Sequence, residues 1–378
     1  MPRRSIPALA GLALTLAAVS GCGSSNSSSK TASAAAPKTK AYLASLKTVT
    51  KVVSTVPAAG DENPYGIAFV PASVGKLEAG EMLVSNFNSN SGNQGTGTTI
   101  DEISTTGKVS LFANVDAKTL PGPCPGGVGL TTALNILPGG YVVVGSLPTS
   151  NGKAATAKYG CLIVLDSKGK AIETIANKNI QGPWDSTATS EGSNTTLFVS
   201  NALNGGAAEG VKPIDNSTVL RIDLQSSASE APKVTSEQVI AEGIPWVDSP
   251  EALVLGPTGL ALAANGTLYF ASTQNNAIYA ISEASIRTTP VAKGGTVLTK
   301  DGHLKEPLGM AIAPNGDILT TNGGDGNMVE TTTAGWQIAV RTADKKTGAG
   351  SLFGLAISPS KKSIYYVDDG ENTLNLLH

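Results

Sequence analysis

The side chains in this chain that could do chemistry are amides and carboxylates. Histidine is almost missing, with 2 His against 29 Asp and Glu in 378 residues. Asn86, Ser146, Asn201, Thr273, Asn322 and Asp368 each close a short apolar run. Asn63, Trp184, Asp185, Glu251 and Glu306 each precede or open one. Oxygen donors of this kind, brought together, suit a hard divalent cation such as Ca²⁺. A bound cation would polarise a carbonyl and acidify its water. Ringed around a mouth without a cation, the same groups would hydrogen-bond a glycan, a peptide or a protein. His303 lies in the loop "KDGHLK" and His378 is the final residue, so chemistry built on a histidine pair or a histidine base has no supply. No Ser/His/Asp set, glycine-rich phosphate loop or zinc spacing is visible.

Short strands must position these residues. In "LGMAIAP" Leu308, Met310 and Ile312 alternate with small residues, and the period of two predicts a strand. "NG" at 315–316 is a turn signal, since both residues tolerate positive φ. "DILTTN", "MVETTT" and "WQIAVRT" complete four strands, and "GLALAA-NG-TLYFAST" with "AIYAIS" and "GTVLT" repeats the order earlier in the chain. A four-stranded unit of roughly 45–50 residues is a propeller blade. Weaker copies fill the rest and predict an all-β, six-bladed β-propeller over 46–378. The last copy, "LFGLAISPSKKSIYYVDDGENTLNLLH", holds three strands. The β-branched run at 46–56, "LKTVTKVVSTV", has no partner of its own and is expected to complete that blade and close the ring.

"PLGMAIAPNGDILTTN", "GPTGLALAANGTLYFAST" and "LFGLAISPSKKSIYYVDD" resemble the repeats of NHL-type and SMP-30/gluconolactonase-like six-bladed propellers. The resemblance implies a metal-dependent lactonase site with a Glu before one first strand, an Asn in another and an Asp after a second strand. The match is broken twice. Thr258 stands at the amide position ("PTG"), and Asn63-Pro64 replaces the glutamate position of blade 1. No catalytic residue is therefore carried over. In the propeller register the second-strand ends surround one channel mouth. Asn86, Asn201, Asn322, Trp184, Asp185 and Glu251 are expected there as ligand-binding residues, beside loops 86–97 and 201–216 and Trp246. Asp368 with Asn201 is the candidate metal set, for Ca²⁺ or another divalent cation, with Asp325 and Asp369 next. Two functional readings stand: a binding or scaffold module for a protein, peptide or glycan, and a divalent-cation-dependent lactonase-like hydrolase. In a plainer reading the Asn residues satisfy turns and the Trp residues fill space between blades.

The start of the chain reads as an address. Arg3 and Arg4 precede the apolar "IPALAGLALTLAAV", giving a signal peptide over 1–21. "VSGC" resembles the bacterial lipobox, which implies cleavage before Cys22 and a lipid thioether on its sulfur. The Ser/Ala-rich stretch over 22–45 reads as a disordered tether. The expected setting is export, with lipid anchoring on the outer face of the bacterial cell membrane or in the periplasm. In such a compartment Cys124 and Cys161 are expected to pair. The net charge is −2 and no Lys/Arg run follows the tether, so nucleic acid is not an expected partner. A monomer is expected.

Overall fold

The computed structural model describes residues 40–204, 213–227, 230–250, 252–346, 348 and 350–378. They form six antiparallel blades in a ring, five of them laid out from the innermost to the outermost strand in chain order. Blade 1 is Glu62–Phe69, Met82–Asn88, Thr99–Ile103 and Val109–Asn114. Blade 2 is Leu130–Leu137, Tyr141–Ser146, Cys161–Leu165 and Ala171–Ile175. Blade 4 is Pro257–Leu262, Leu268–Ser272, Ala277–Ile281 and Thr296–Lys300, and blade 5 is Pro307–Ile312, Ile318–Asn322, Asn327–Thr331 and Gln337–Thr342. Blade 6 takes Leu352–Ile357, Ile364–Asp368 and Thr373–Leu377 from the end of the chain and Val49–Ser54 from its start, with Val49 opposite Leu377. The expected mixed-end closure is present. Among the described residues helix is confined to four 3₁₀ turns of three residues each.

Blade 3 departs from the expected size. Pro183–Glu191 and Asn194–Asn201 are followed by a long ribbon, Ile214–Ser227 with Glu230–Ser249. Leu253–Leu255 adds to the end of this ribbon, and Val291–Ala292 pairs with it in parallel from the connection of blade 4.

Every innermost strand carries a register shift near its start: Pro64/Gly66, Leu130/Leu134, Pro183/Ser186, Pro257/Leu260, Pro307/Met310 and Leu352/Leu355. A bulge removes backbone groups from the ladder, and second-strand hydroxyls take them up. Ser85 Oγ, Ser200 Oγ and Thr321 Oγ1 accept the N–H of Gly66, Asp185 and Gly309 at 3.1, 3.0 and 2.8 Å. Ser85 and Thr321 donate in turn to the carbonyls of Thr131 and Phe353 in the next blade, at 2.8 and 2.7 Å. The repeated hydroxyl therefore ties each bulge to its neighbour while apolar layers fill the wedges between blades.

The fold begins earlier than the expected boundary at 46. Ala41, Leu43 and Leu46 are buried against blades 5 and 6, so the end of the predicted tether belongs to the ring. The cause is Glu330, a fully buried carboxylate of blade 5. It accepts the N–H groups of Tyr42 and Leu43 at 2.8 and 2.6 Å and an amide N–H of Asn315 at 2.8 Å. The signal peptide, Cys22 and most of the tether lie outside the described residues, as does Glu251. Cys124 and Cys161 form the expected disulfide, with Cα atoms 5.2 Å apart.

Candidate functional site

All six innermost strands begin on the same face, and there the channel is closed. Near the starts of these strands stand Tyr65, Trp184, Leu308 and Phe353, each at most 3% exposed. Tyr65 stacks on Phe353 with ring centroids 3.8 Å apart and on Phe87 at 4.5 Å, and it meets Trp184 at 5.7 Å. Phe353 and Trp184 belong to opposite blades, 6 and 3, so the Phe353–Tyr65–Trp184 contacts bridge the channel. Loops seal the plug from above. Leu147, Ala154, Leu203, Trp246 and Leu253 join the same apolar cluster. The loops are cross-tied: Gln94 Nε2 donates to Pro250 O at 2.5 Å, and Thr149 N donates to Gly95 O at 2.9 Å.

The predicted polar rim is not found at this mouth. Asn86, Asn201 and Asn322 are 0% exposed and turn into their own blades. Asn86 Nδ2 donates to Thr99 Oγ1 and Asp101 Oδ2 at 3.1 and 3.0 Å. Asn201 Oδ1 accepts the N–H of Gln181 and Gly182, while its Nδ2 donates to Asn179 O and Thr218 Oγ1. Asn322 Nδ2 donates to His303 O and Asp325 Oδ1. The plainer reading of these amides describes their geometry: Asn201 and Asn322 hold the loop entering their own blade, and Asn86 ties to the third strand of its blade. The equivalent position in blade 4 is Ser272, opposite Pro257, one residue before the expected Thr273. Trp184 is part of the plug and Trp246 donates Nε1–H to Asn216 Oδ1, so both fill space rather than face a ligand.

The candidate metal residues are not brought together. Asn201 is in blade 3 and Asp368 in blade 6, on opposite sides of the ring. Asp368 instead lines a groove of about 670 Å³ between blades 5 and 6, with Asp344 and Glu371 on one part of its wall and Lys47, Lys51 and Arg341 on another. Burial, then the Asp344 charge, lifts the Asp368 carboxyl to about 6. Asp369 is buried beneath the seam of blades 6 and 1. Burial holds its carboxyl well above the usual range, against a hydrogen bond from Asn63. Asn63, at the position of the missing glutamate, accepts from Asn88 Nδ2 at 2.6 Å, and its N–H donates to Asn372 Oδ1 at 2.6 Å. Among the described residues no group of three or more His, Cys, Asp or Glu converges as a metal site.

Below the plug the channel opens into a cavity of about 310 Å³, reached from the face where first strands turn into second strands. One register step beyond the plug the blades present Gly66, Ala133, Asp185, Gly259, Gly309 and Gly354. Small residues are required where neighbours crowd: a Cβ on Gly309 would sit 2.1 Å from Phe353 O, and one on Gly259 2.2 Å from Leu308 O. Blade 3 alone places a carboxylate in this ring. Asp185 is 8% exposed, with Oδ1 accepting Ser186 N at 2.7 Å and Oδ2 accepting Leu260 N of blade 4 at 3.2 Å. Burial lifts its carboxyl to about 8, against these two hydrogen bonds. Among the described residues, Asp185 is the predicted ligand-binding residue that lines this cavity. Its neighbours Thr132, Asn135 and Ser186 were not foreseen. The available signal was the alignment of the copies, in which Asp185 falls on a glycine column.

Solved structures share this architecture. A gluconolactonase from Xanthomonas campestris aligns with a TM-score of 0.52 at 12% identity, over 87% of this chain and 88% of that one. A luciferin-regenerating enzyme aligns at 0.53 and 11%, over 87% and 94%. A virginiamycin B lyase from Staphylococcus aureus aligns at 0.50 and 15%, over 87% and 98%. At such identities the likeness is one of fold, the six-bladed propeller. No protein-family model matches the chain, and no curated protein matches it.

Proposed function

We propose that the chain is an exported, membrane-tethered binding module and that its ligand, a protein, peptide or glycan, docks on the roofed face of the ring. The observation that carries this reading is the chain of rings Phe353–Tyr65–Trp184 that bridges the channel. It fills with apolar side chains the mouth at which the resembling lactonases hold a cation and its substrate. Asn63 and Thr258 occupy the two broken lactonase positions, and both are spent on hydrogen bonds within the protein. A lactonase-like activity, the second reading, would need that mouth to be open and charged.

The roof supplies what a docking surface needs. The ties from Gln94 and Thr149 preorganise its loops, which lowers the entropy lost on binding. Asn90, Ser91, Asn93 and Asn151 stand exposed on them. Beside them Tyr159 is 46% exposed. With Pro123, Pro125 and Ile180 it borders a pocket of about 420 Å³, next to the Cys124–Cys161 bridge. An exposed tyrosine over a rigid apolar pocket is the usual anchor of a recognition surface. Lipidation at Cys22 and the tether would present this face to the extracytoplasmic space. The test is an array of glycans and peptides probed with the wild type and Tyr159→Ala. A ligand retained by the wild type and lost by the variant supports the reading. A ligand bound equally by both moves the site elsewhere.

A further inference from the structure

We propose that the axial cavity beneath the plug is a separate site for a primary alkylammonium group, with Asp185 as its counter-ion and Thr132 as a hydrogen-bond acceptor. Three observations meet there.

The first is the break in ring symmetry. Five blades put Gly or Ala at this register position, and blade 3 puts a carboxylate there, 8% exposed. A buried carboxyl either keeps its proton or takes a cationic partner. Among the described residues Asp185 makes no ion pair, and the two ion pairs present lie elsewhere. The second is Thr132, 7% exposed and on the cavity wall, whose Oγ1 is buried with no hydrogen-bond partner. A buried unpaired hydroxyl calls for a donor. The third is the shape and chemistry of the walls. Ile67, Leu134, Leu260, Met310 and Leu355 share the walls of the cavity of about 310 Å³ with Asn135, Ser186 and Thr187, and Asp185 is the one titratable side chain among the lining residues. One carboxylate, one free acceptor and aliphatic side chains beside them match a short alkyl chain ending in –NH₃⁺.

Asp185 has capacity for this ligand. Each oxygen accepts one backbone N–H, and an ionised carboxylate offers about four lone-pair positions. An ammonium carries three donors, so it reaches Asp185 and Thr132 Oγ1 together. A divalent cation would find too few oxygens here.

Because burial lifts Asp185 to about 8, binding near neutrality expels its proton. The experiment is titration calorimetry of the mature protein with n-butylamine, n-butanol and butyrate, between pH 6 and pH 9. Butylammonium is expected to bind, with about one proton released per ligand at pH 7. Its affinity is expected to rise about tenfold per pH unit up to pH 8 and to level above it. Asp185→Asn should weaken butylammonium at least tenfold and abolish proton release. Thr132→Val should weaken it several-fold with the pH profile kept. If Asp185→Asn does not fold, the proton count and the preference over butanol and butyrate in the wild type decide the matter. Absence of butylammonium binding to the folded wild type at about 10 mM overturns the proposal. So does equal binding of butanol, or undiminished binding by folded Asp185→Asn. None of these outcomes bears on the roofed face, which Tyr159→Ala tests.

Discussion

Asp185→Asn turns the buried carboxyl into a direct readout of pH. A carboxyl whose folded value lies above its unfolded value keeps its proton in the native state where the unfolded chain has released it. For Asp185 that window runs from 3.8 to about 8. Within it the native state binds more protons, so stability is highest at the acid end and falls as pH rises. The slope is about 1.4 kcal/mol per pH unit. Between pH 5 and pH 8 the loss approaches about 4 kcal/mol. Asparagine does not titrate. It keeps the shape but leaves one of the two N–H groups, on Ser186 or Leu260, without an oxygen acceptor, a cost that is constant with pH. Asp101, raised by burial to about 7, and Asp368, at about 6, titrate in both proteins and cancel in the difference. Urea unfolding of both proteins at pH 5, 6, 7 and 8 gives that difference directly. Asp185→Asn should gain about 4 kcal/mol on the wild type across the series, whatever its offset at pH 5. A difference constant to within about 1 kcal/mol would show that Asp185 is ionised throughout, and the account of its burial would fall.

Trp184→Ala should cost about 3–5 kcal/mol in urea unfolding, because the plug loses its largest ring and the roof loops keep the void open. A loss below about 1 kcal/mol would mean that the mouth is not packed as described. Replacing Cys124 and Cys161 together by Ser should lower stability by about 3–4 kcal/mol, the loop entropy of a 37-residue separation, and a reductant should reproduce the loss in the wild type. Glu330→Ala removes the acceptor of two strap N–H groups. It should cost about 3 kcal/mol and open the chain near residues 40–48 to proteolysis at unchanged secondary structure.

The ring was legible because its signals are local. Alternation within strands, the turn at 315–316 and a final copy one strand short are all properties of short windows. Two features of the site needed more than a window. An asparagine at a strand end reads the same whether it faces a channel or its own blade. The choice at Asn86, Asn201 and Asn322 was made by a neighbouring-strand hydroxyl, a loop N–H and a loop carbonyl respectively. The plug was written in "NPYG", "GPWD" and "SLFG", where an aromatic precedes a small residue or Asp185. Only the bulge register shows that these rings share one level and meet on the axis. The slip from Ser272 to Thr273 has a similar origin, since a 3₁₀ turn, Thr273–Asn275, begins where the strand ends.

The proposal that the closed mouth serves binding rather than hydrolysis rests on the apolar plug. Its most direct test is turnover of a panel of lactones and esters by the mature protein, with Ca²⁺, Mg²⁺, Mn²⁺ or Zn²⁺ added and with each removed by chelation. The account predicts no metal-dependent turnover above the uncatalysed rate, in wild type and in Asp368→Asn alike. Calcium-dependent lactone hydrolysis that Asp368→Asn abolishes would contradict it.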